Sequence, residues 1–142
     1  MRRIKYLSSF ARPIESEEIE ELVEKASQNN TALGITGVLM ATGGIFFQII
    51  EGGDDAIVQL FERIQQDERH NQILMLRDEK GVESRLFPDW GMRRYDPGPS
   101  AHLRHVASLS MLESIVEMQS IVKRLTLSLE QSIWLELNRS VQ

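Results

Sequence analysis

The order of its predicted elements assigns this chain of 142 residues to the α+β class. Strand-like apolar runs alternate with two segments of helical period as β-α-β-β-α-β, with one strand added. That order is typical of a ferredoxin-like fold, a five-stranded sheet with two helices on one face. A break at Asp96-Pro97-Gly98-Pro99 then precedes a region of helical period. We therefore predict a core over residues 1–96 and a helical C-terminal extension over residues 97–142.

Each element of the core is predicted from the spacing of its apolar residues. A half-buried strand alternates apolar and polar residues, whereas a helix returns an apolar residue every three or four positions. Ser16 is a suitable N-cap for the first helix, and Thr42-Gly43 is typical of a tight turn between two strands. The predicted strands cover residues 2–8, 35–41, 44–51, 73–78 and 83–92, and the predicted helices cover residues 15–28 and 54–66.

The extension after Pro99 is strongly amphipathic. Six of its apolar residues recur in alternating steps of four and three, which is the 3.5-residue repeat of a helix-packing seam. A helix with such a stripe needs its own sheet or a second subunit to cover it. We expect one long helix or two shorter ones, with the part nearer Pro99 on the sheet and the later part in a homo-oligomer. The six residues are Met111, Ile115, Met118, Val122, Leu125 and Leu129.

Composition limits the classes of function. The formal net charge of -5 disfavours nucleic acid as a partner, because affinity for a phosphate backbone comes mainly from Lys and Arg. The chain has no cysteine, and its three histidines show no ligand spacing, so no metal site is predicted. No run approaches the roughly 20 apolar residues that span a bilayer, and no signal peptide is recognisable. We expect a soluble cytoplasmic protein that does not bind a membrane.

Two polar side chains, Tyr6 and Gln48, lie in the middle of strand-like apolar runs. Burying an amide without hydrogen-bond partners is costly, so a glutamine between Phe47 and Ile49 indicates a specific partner. Tyr6 alone is explained as an ordinary core aromatic. Strand alternation, however, places the phenol and the amide over the same core, where they can meet. The pair indicates a ligand site.

Tyr6 and Gln48 belong to a longer pattern of motifs. In this order and spacing, the chain resembles the BLUF family, the flavin-based sensors of blue light, over roughly its first two thirds. The resemblance implies a blue-light photoreceptor that signals through its C-terminal part to a partner or output domain, and that is not itself an enzyme. The other motifs are Asn29-Asn30, Gly34-Ile35-Thr36-Gly37, Glu51-Gly52, Asp67-Glu68-Arg69-His70 and Phe87-Pro88-Asp89-Trp90-Gly91-Met92.

The resemblance implies a photochemical role for Tyr6 and Gln48. In this family a tyrosine donates to a glutamine that faces the flavin, and the two residues match those positions. A phenol can supply an electron and a proton together, and a primary amide can relay a proton because it carries donors and an acceptor. The amide is then left rotated or tautomerised, and its new hydrogen bond shifts the flavin absorption to the red.

Further matched positions imply contacts with the flavin ring. Asn30 matches the residue at the pyrimidine edge, Asn29 lies beside the ring, and Ile35 resembles the residue packed on the ring face. Taken alone, Asn29-Asn30 would be read as the C-cap of the first helix, because Asn tolerates the left-handed conformation.

The motif around Arg69 and His70 implies contacts with the ribityl and phosphate end, with Asp67 bracing both residues. Taken alone, these charges would be a solvated helix end that compensates the dipole. The open phosphate end leaves the flavin form undecided. FAD is the expected cofactor, and FMN and riboflavin remain alternatives.

Trp90 and Met92 are two residues apart and are predicted to share one strand face. Core packing alone accounts for both. In the family, one or the other lies near the glutamine and is linked to signal output. Gly91 between them is expected to make that strand easier to shift.

Two other classes of function are considered. A small flavin-dependent or ferredoxin-like enzyme is one, although no nucleophile, base and orienting residue occur at plausible spacing. A non-photoactive oligomerisation module is the other. The absorption spectrum separates the three classes: a reversible red shift indicates the sensor, bleaching with an electron donor the enzyme, and a colourless protein the module.

Overall fold

The computed structural model describes residues 1–42, 44–95 and 103–139, without the side chains of residues 42, 103–114, 116 and 117. The chain divides into two units, Met1–His102 and Leu103–Gln142. The predicted boundary between residues 96 and 97 falls on positions outside the described residues, so it stays a prediction.

The described part of the first unit contains a five-stranded sheet. Its strands are β1 (Arg2–Phe10), β2 (Thr36–Thr42), β3 (Ile45–Gly52), β4 (His70–Lys80) and β5 (Arg93–Tyr95). The order across the sheet is β4-β1-β3-β2-β5, antiparallel throughout except for the parallel pair β2 and β5. The predicted α+β class with a five-stranded sheet is confirmed, and β1 and β3 are neighbours near its centre.

Two helices, α1 (Ser16–Ala32) and α2 (Asp54–Gln66), pack on one face of this sheet. Both carry acidic residues in their first turn, where the helix dipole favours them. Ile19 of α1 and Phe61 of α2 are buried in the same core as Tyr6. We call this side of the sheet the helix face.

The predicted boundaries of α1 need two corrections. The N-cap is Glu15 and not Ser16, whose hydroxyl accepts a hydrogen bond from Arg94 Nη1 at 2.9 Å. The helix also continues beyond residue 28 to Ala32. Asn29 and Asn30 therefore lie in its last turn and do not cap it, which leaves their side chains free for other contacts.

Strand alternation gives the opposite side of the sheet its own set of side chains. Leu7 and Ile49 are buried there, and so is the carboxylate of Glu51. We call this side the reverse face. Arg3 lies directly opposite Glu51 in the antiparallel pair of β1 and β3.

The predicted strand over residues 83–92 is wrong. The strand β4 runs from His70 to Lys80, and residues 81–92 form a loop without regular secondary structure before β5 begins. Pro88 offers no backbone N–H to a neighbouring strand, and the Leu86 N–H donates to a Glu51 carboxylate oxygen at 2.9 Å. Hydrogen bonds to side chains thus replace those that a neighbouring strand would make. We call residues 81–92 the β4–β5 loop.

The second unit contains one long helix, α3 (Leu103–Arg139). Its described apolar side chains are exposed, among them Val122, Leu125 and Leu129. The prediction that the part nearer Pro99 packs on the sheet concerns residues 100–102 and side chains of residues 103–114, which the structure does not describe, so it stays a prediction. Within the described ranges, neither α3 nor any other helix has the length and apolar character needed to cross a membrane.

Candidate functional site

A cavity of about 250 Å³ lies between α1, α2 and the helix face of the sheet. The first helix supplies polar and apolar side chains from its last turns, the second supplies its C-terminal end, and the sheet supplies the floor. Most residues that the sequence singled out converge there. Those that line the cavity are Asn29, Asn30, Gln48, Asp67, Arg69, His70 and Met92.

Tyr6 and Gln48 form a hydrogen-bonded pair at the inner end of this cavity. They lie directly opposite each other in the register of β1 and β3, and the Tyr6 hydroxyl donates to Gln48 Oε1. Tyr6 is 0% exposed and Gln48 is 7% exposed. Burial, together with the charge of Asp67, raises the pKa of Tyr6 above its usual range. The phenol therefore keeps its proton and remains a donor at any physiological pH.

The other end of the Gln48 amide contacts Met92. Gln48 Nε2 lies 3.5 Å from Met92 Sδ, a weak acceptor, whereas Oε1 accepts from a hydroxyl. The amide is thus held firmly by its oxygen and loosely by its nitrogen. Trp90 lies outside the cavity lining, with the Arg93 guanidinium 4.5 Å above its ring. Of the two residues considered for this position, Met92 is the one beside Gln48.

Asn30 is the buried member of the asparagine pair. It is 2% exposed, and its Nδ2 donates to the backbone oxygen of Gly91 at 2.9 Å. Asn29 is exposed at the rim of the cavity. Ile35 is buried in the core but does not line the cavity, so the structure does not bring it to the others.

Gly91 packs tightly against α1. A Cβ atom at this position would lie 2.4 Å from the backbone oxygen of Ser27 and 2.4 Å from Thr31 Oγ1. The missing side chain lets the end of the β4–β5 loop approach the helix closely enough for Asn30 to reach it. The sequence analysis expected Gly91 to make a strand easier to shift. Residues 81–92 form a loop, so that prediction is wrong.

The outer end of the cavity is charged. Arg69 Nε and Nη2 donate to the two oxygens of Asp67 at 2.9 and 2.6 Å. This side-chain hydrogen bond lowers the pKa of Asp67 to about 2, although partial burial acts in the opposite direction. Asp67 thus orients Arg69, but the pair is partly exposed and contributes little to stability.

His70 lies further in, where Tyr6 and Phe46 pack against its ring at centroid distances of 5.9 and 4.7 Å. Its Nδ1 is 2.5 Å from the hydroxyl of Ser8. Burial lowers the pKa of His70; Asp67 opposes this effect, and Arg69 adds to it. The imidazole is therefore neutral near pH 7.

Two cations in the lining were missed by the sequence analysis. Lys25 lies on α1 and Arg63 lies in the last turn of α2. Lys25 is one helical turn before Asn29 and so shares its face, which was a signal available from the sequence. With Arg69, these residues place three cations around the outer part of the cavity.

The arrangement defines a class of protein. Amides at the inner end, an apolar middle formed in part by Leu39, Leu60 and Ile64, and cations at the outer end fit a flat heteroaromatic cofactor with a phosphate tail. In the part of the chain that the structure describes, no three His, Asp or Glu side chains converge to hold a metal ion. The fold and site are those of an α+β domain with a cavity between its two helices that suits such a cofactor.

Comparison with known proteins identifies the family. Residues 1–93 match the family described as "BLUF: Sensors of blue-light using FAD". The chain belongs to the BLUF family of blue-light flavin sensors, as the sequence motifs predict.

Two curated relatives share this region. The photoactivated adenylate cyclase subunit beta of Euglena gracilis is 34% identical over 95 residues, which is 66% of this chain and 11% of that protein. The blue light- and temperature-regulated antirepressor BluF of Escherichia coli K12 is 34% identical over 79 residues, 56% of this chain and 19% of that protein. The chain thus matches only a small part of each relative.

Two solved structures are also similar to this chain. A bacterial light-regulated adenylyl cyclase is 31% identical with a TM-score of 0.74, covering 87% of this chain and 36% of that chain. BlrB, described as a BLUF protein in its dark state, is 35% identical with a TM-score of 0.62, covering 66% of this chain and 70% of that chain.

Proposed function

We propose that this chain is a blue-light photoreceptor in which Tyr6 and Gln48 perform the photochemistry. One observation supports the proposal above all. A neutral, fully buried phenol donates to the oxygen of an amide that forms the inner wall of the cavity. Among the residues that line the described cavity, Gln48 is the one whose amide accepts from a phenol.

The cavity fits a flavin ring with its tail in the mouth. Its volume of about 250 Å³ lies just below the range of roughly 300–1,000 Å³ that is usual for pockets enclosing a whole drug-sized ligand. Asn30 and Gln48 hold the ring edge, Asn29 lies beside it, and Arg69 and His70 hold the tail. FAD is the expected form, as the family description states, although three cations at the mouth would also suit FMN.

Bound flavin supplies the absorption of blue light and, once excited, a strong oxidant. With flavin bound and excited, Tyr6 would give its electron to the flavin and its phenolic proton to Gln48 Oε1, because a lone charge on a buried phenol is unfavourable. Gln48 would release a proton from Nε2 towards the flavin at the same time, so that the amide stays neutral. When Tyr6 has regained both, the amide is left rotated or tautomerised. Because the contact between Gln48 Nε2 and Met92 Sδ is weak, the rearranged amide loses little stabilisation at its nitrogen.

The rearranged amide alters its contact with Met92, and the change passes along the backbone to β5. Met92 directly precedes β5, and Trp90 is two residues earlier. The signal then reaches the extension and a partner or output domain. The chain itself is a sensor, and any enzymatic output belongs to another chain or another domain.

A second copy of this chain is the partner of α3. The helix has 37 residues, and its exposed apolar side chains keep the 3.5-residue spacing of a two-helix seam from Met118 through Leu129. Such a seam is costly to leave in water. Pairing of two such helices gives a dimer through which both sensors act.

The light-induced difference spectrum of Tyr6→Phe tests the photochemical assignment. The variant keeps the ring and loses the hydroxyl, so it should fold, bind flavin and show no red shift. Gln48→Leu should also bind flavin and show no photocycle. Tyr95→Phe is the matched control, because Tyr95 is the other tyrosine of the chain and is exposed. A full red shift in Tyr6→Phe would refute the assignment.

The same spectra separate the alternatives. A reversible shift of the wild type to the red supports the sensor. Bleaching of the flavin with an added electron donor would indicate a flavin enzyme, and a colourless protein would indicate an oligomerisation module.

A further inference from the structure

The reverse face of the sheet carries a buried carboxylate that the photochemistry does not use. Glu51 is 0% exposed and lies on β3, three residues after Gln48. Arg3 Nε donates to Glu51 Oε1 at 3.1 Å from the strand alongside. A buried carboxylate is tolerated only with a set of donors around it. The strands β1 and β3 thus carry Tyr6 and Gln48 on one face and this ion pair on the other.

The remaining donor to Glu51 comes from the β4–β5 loop. The backbone N–H of Leu86 lies 2.9 Å from each carboxylate oxygen. Arg3 also contacts this loop directly, since its Nη2 donates to the backbone oxygen of Ser84 at 2.8 Å. The carboxylate and its arginine therefore fasten the first half of the loop to the reverse face.

Arg85 adds a second fastening. Its Nη1 donates to Thr36 Oγ1 at 2.8 Å and to the Glu51 backbone oxygen at 3.1 Å, and its Nη2 donates to the Gly34 oxygen at 2.7 Å. These acceptors belong to the start of β2, the residues before it and the end of β3. A planar guanidinium with several fixed acceptors holds a loop more rigidly than a single hydrogen bond does.

The far end of the loop is fastened at the cofactor site. The Gly37 N–H donates to the Trp90 oxygen at 3.0 Å, Asn30 Nδ2 donates to the Gly91 oxygen, and Gln48 Nε2 contacts Met92 Sδ. Residues 87–89 are all that separate these contacts from those at Arg85 and Leu86. Such a short link transmits a displacement of one end to the other.

We propose that Glu51 and Arg85 are positioning residues of the photocycle, an inference that rests on the proposed function above. They hold the β4–β5 loop so that Met92 meets the Gln48 amide in the dark arrangement. Because the lit arrangement displaces Met92 while the fastening at residues 85–86 remains, the loop pulls the site back to the dark arrangement. Weakening the fastening slows dark recovery.

The rate of dark recovery of the flavin-bound protein tests this proposal. Arg85→Ala removes all three hydrogen bonds of the guanidinium and should slow recovery by at least roughly tenfold, the factor expected for losing even one hydrogen bond of a charged group, while the initial red shift stays intact. Arg85→Lys keeps the positive charge but loses the planar guanidinium and should be intermediate. Asp78→Asn is the control, because Asp78 is a β4 carboxylate that accepts from Arg2 and not from Arg3, which fastens the loop. Recovery of Arg85→Ala as fast as the control would overturn the proposal.

A measurement in the dark keeps this test separate from the proposed function. Methionine labelled with ¹³C at its methyl group reports the position of Met92, whose signal is assigned with Met92→Leu. The signal should move in Arg85→Ala and stay in place in Asp78→Asn. Glu51→Gln should behave like Arg85→Ala if it folds. Should the wild type show no red shift, the proposed function fails, and an unmoved Met92 signal in Arg85→Ala still overturns the positioning role.

Discussion

The amide of Gln48 has unequal partners at its two ends. Its oxygen accepts from a buried phenol, and its nitrogen contacts a thioether. Since hydrogen bonds to sulfur are weak, turning the amide forfeits little at the nitrogen end and much at the oxygen end. Tyr6 therefore fixes the resting orientation of the Gln48 amide, and the weak contact with Met92 makes it easier for the amide to turn.

Asn30 and Asn29 should differ in their importance for flavin binding. Asn30 is buried at the cavity, whereas Asn29 is exposed at its rim. Removing one good amide pairing in a buried site costs about 1–3 kcal/mol, so Asn30→Ala should weaken flavin affinity by roughly ten- to a hundredfold. Asn29→Ala should have a smaller effect. Flavin titration of the apo proteins measures the affinity of each variant. Equal flavin affinity of the wild type and Asn30→Ala would show that Asn30 does not contribute to flavin binding.

His70 should make stability depend on pH. Because burial lowers its pKa in the folded state, the unfolded chain takes up the proton first as the pH falls below about 6.5. The free energy of unfolding should therefore decrease from pH 6.5 towards pH 5. Asp67, with a pKa of about 2, adds a loss of the same sign only at lower pH.

Urea unfolding of the flavin-saturated protein at several pH values measures this dependence. His70→Asn should lose less stability between pH 6.5 and 5 than the wild type does. Both proteins retain His102 and His105, so a difference between their pH curves comes from residue 70. Parallel pH curves for the two proteins would show that His70 does not titrate as proposed.

At the scale of elements, periodicity succeeded where the backbone hydrogen bonds stay within a helix or go to a neighbouring strand. The predicted strands at residues 2–8, 35–41 and 44–51 and the helix at residues 54–66 agree with β1, β2, β3 and α2 to within a few residues. Alternation also predicted that Tyr6 and Gln48 face the same core, and the register of β1 and β3 in the structure places them directly opposite each other. These features depend on local spacing, which the sequence contains.

The β4–β5 loop could not be predicted in this way. Its apolar residues Leu86, Phe87 and Trp90 resemble a strand, but side chains distant in sequence hold its backbone. Glu51 binds the Leu86 N–H, and Asn30 binds the Gly91 oxygen. Such tertiary contacts have no periodic signature. Lys25 and Arg63 were missed for a related reason, because a charged helical residue is ordinarily solvent-facing.

For the whole molecule, the α3 seam predicts a dimer. Val122 and Leu125 are 54% and 64% exposed in the single chain, so Val122→Glu with Leu125→Glu should not disturb the fold of the first unit. Like charges facing each other across a seam should lower the mass in solution to that of a monomer. Light scattering of dark and illuminated samples measures it.

The matched control adds the same charge away from the seam. Leu127→Glu with Gln131→Glu also adds two negative charges to exposed positions of α3, at heptad positions that face away from the seam. This variant should keep the mass of the wild type. A wild type that is monomeric in the dark and in the light, or a seam variant that still associates, would contradict the proposal. The cytoplasmic location and the absence of metal and nucleic-acid partners stay predictions from composition.

The close approach of Gly91 to α1 limits how this position can vary over evolutionary time. One of the two atoms that a Cβ would meet is the Thr31 hydroxyl, which a second substitution could trim, but the other is the backbone oxygen of Ser27. Every residue type has that oxygen, so no change at position 27 can compensate. Asp89, two residues earlier and exposed, carries no such restriction. Variation should therefore accumulate freely at position 89 while position 91 stays glycine, even in descendants that have abandoned the light response but kept the fold.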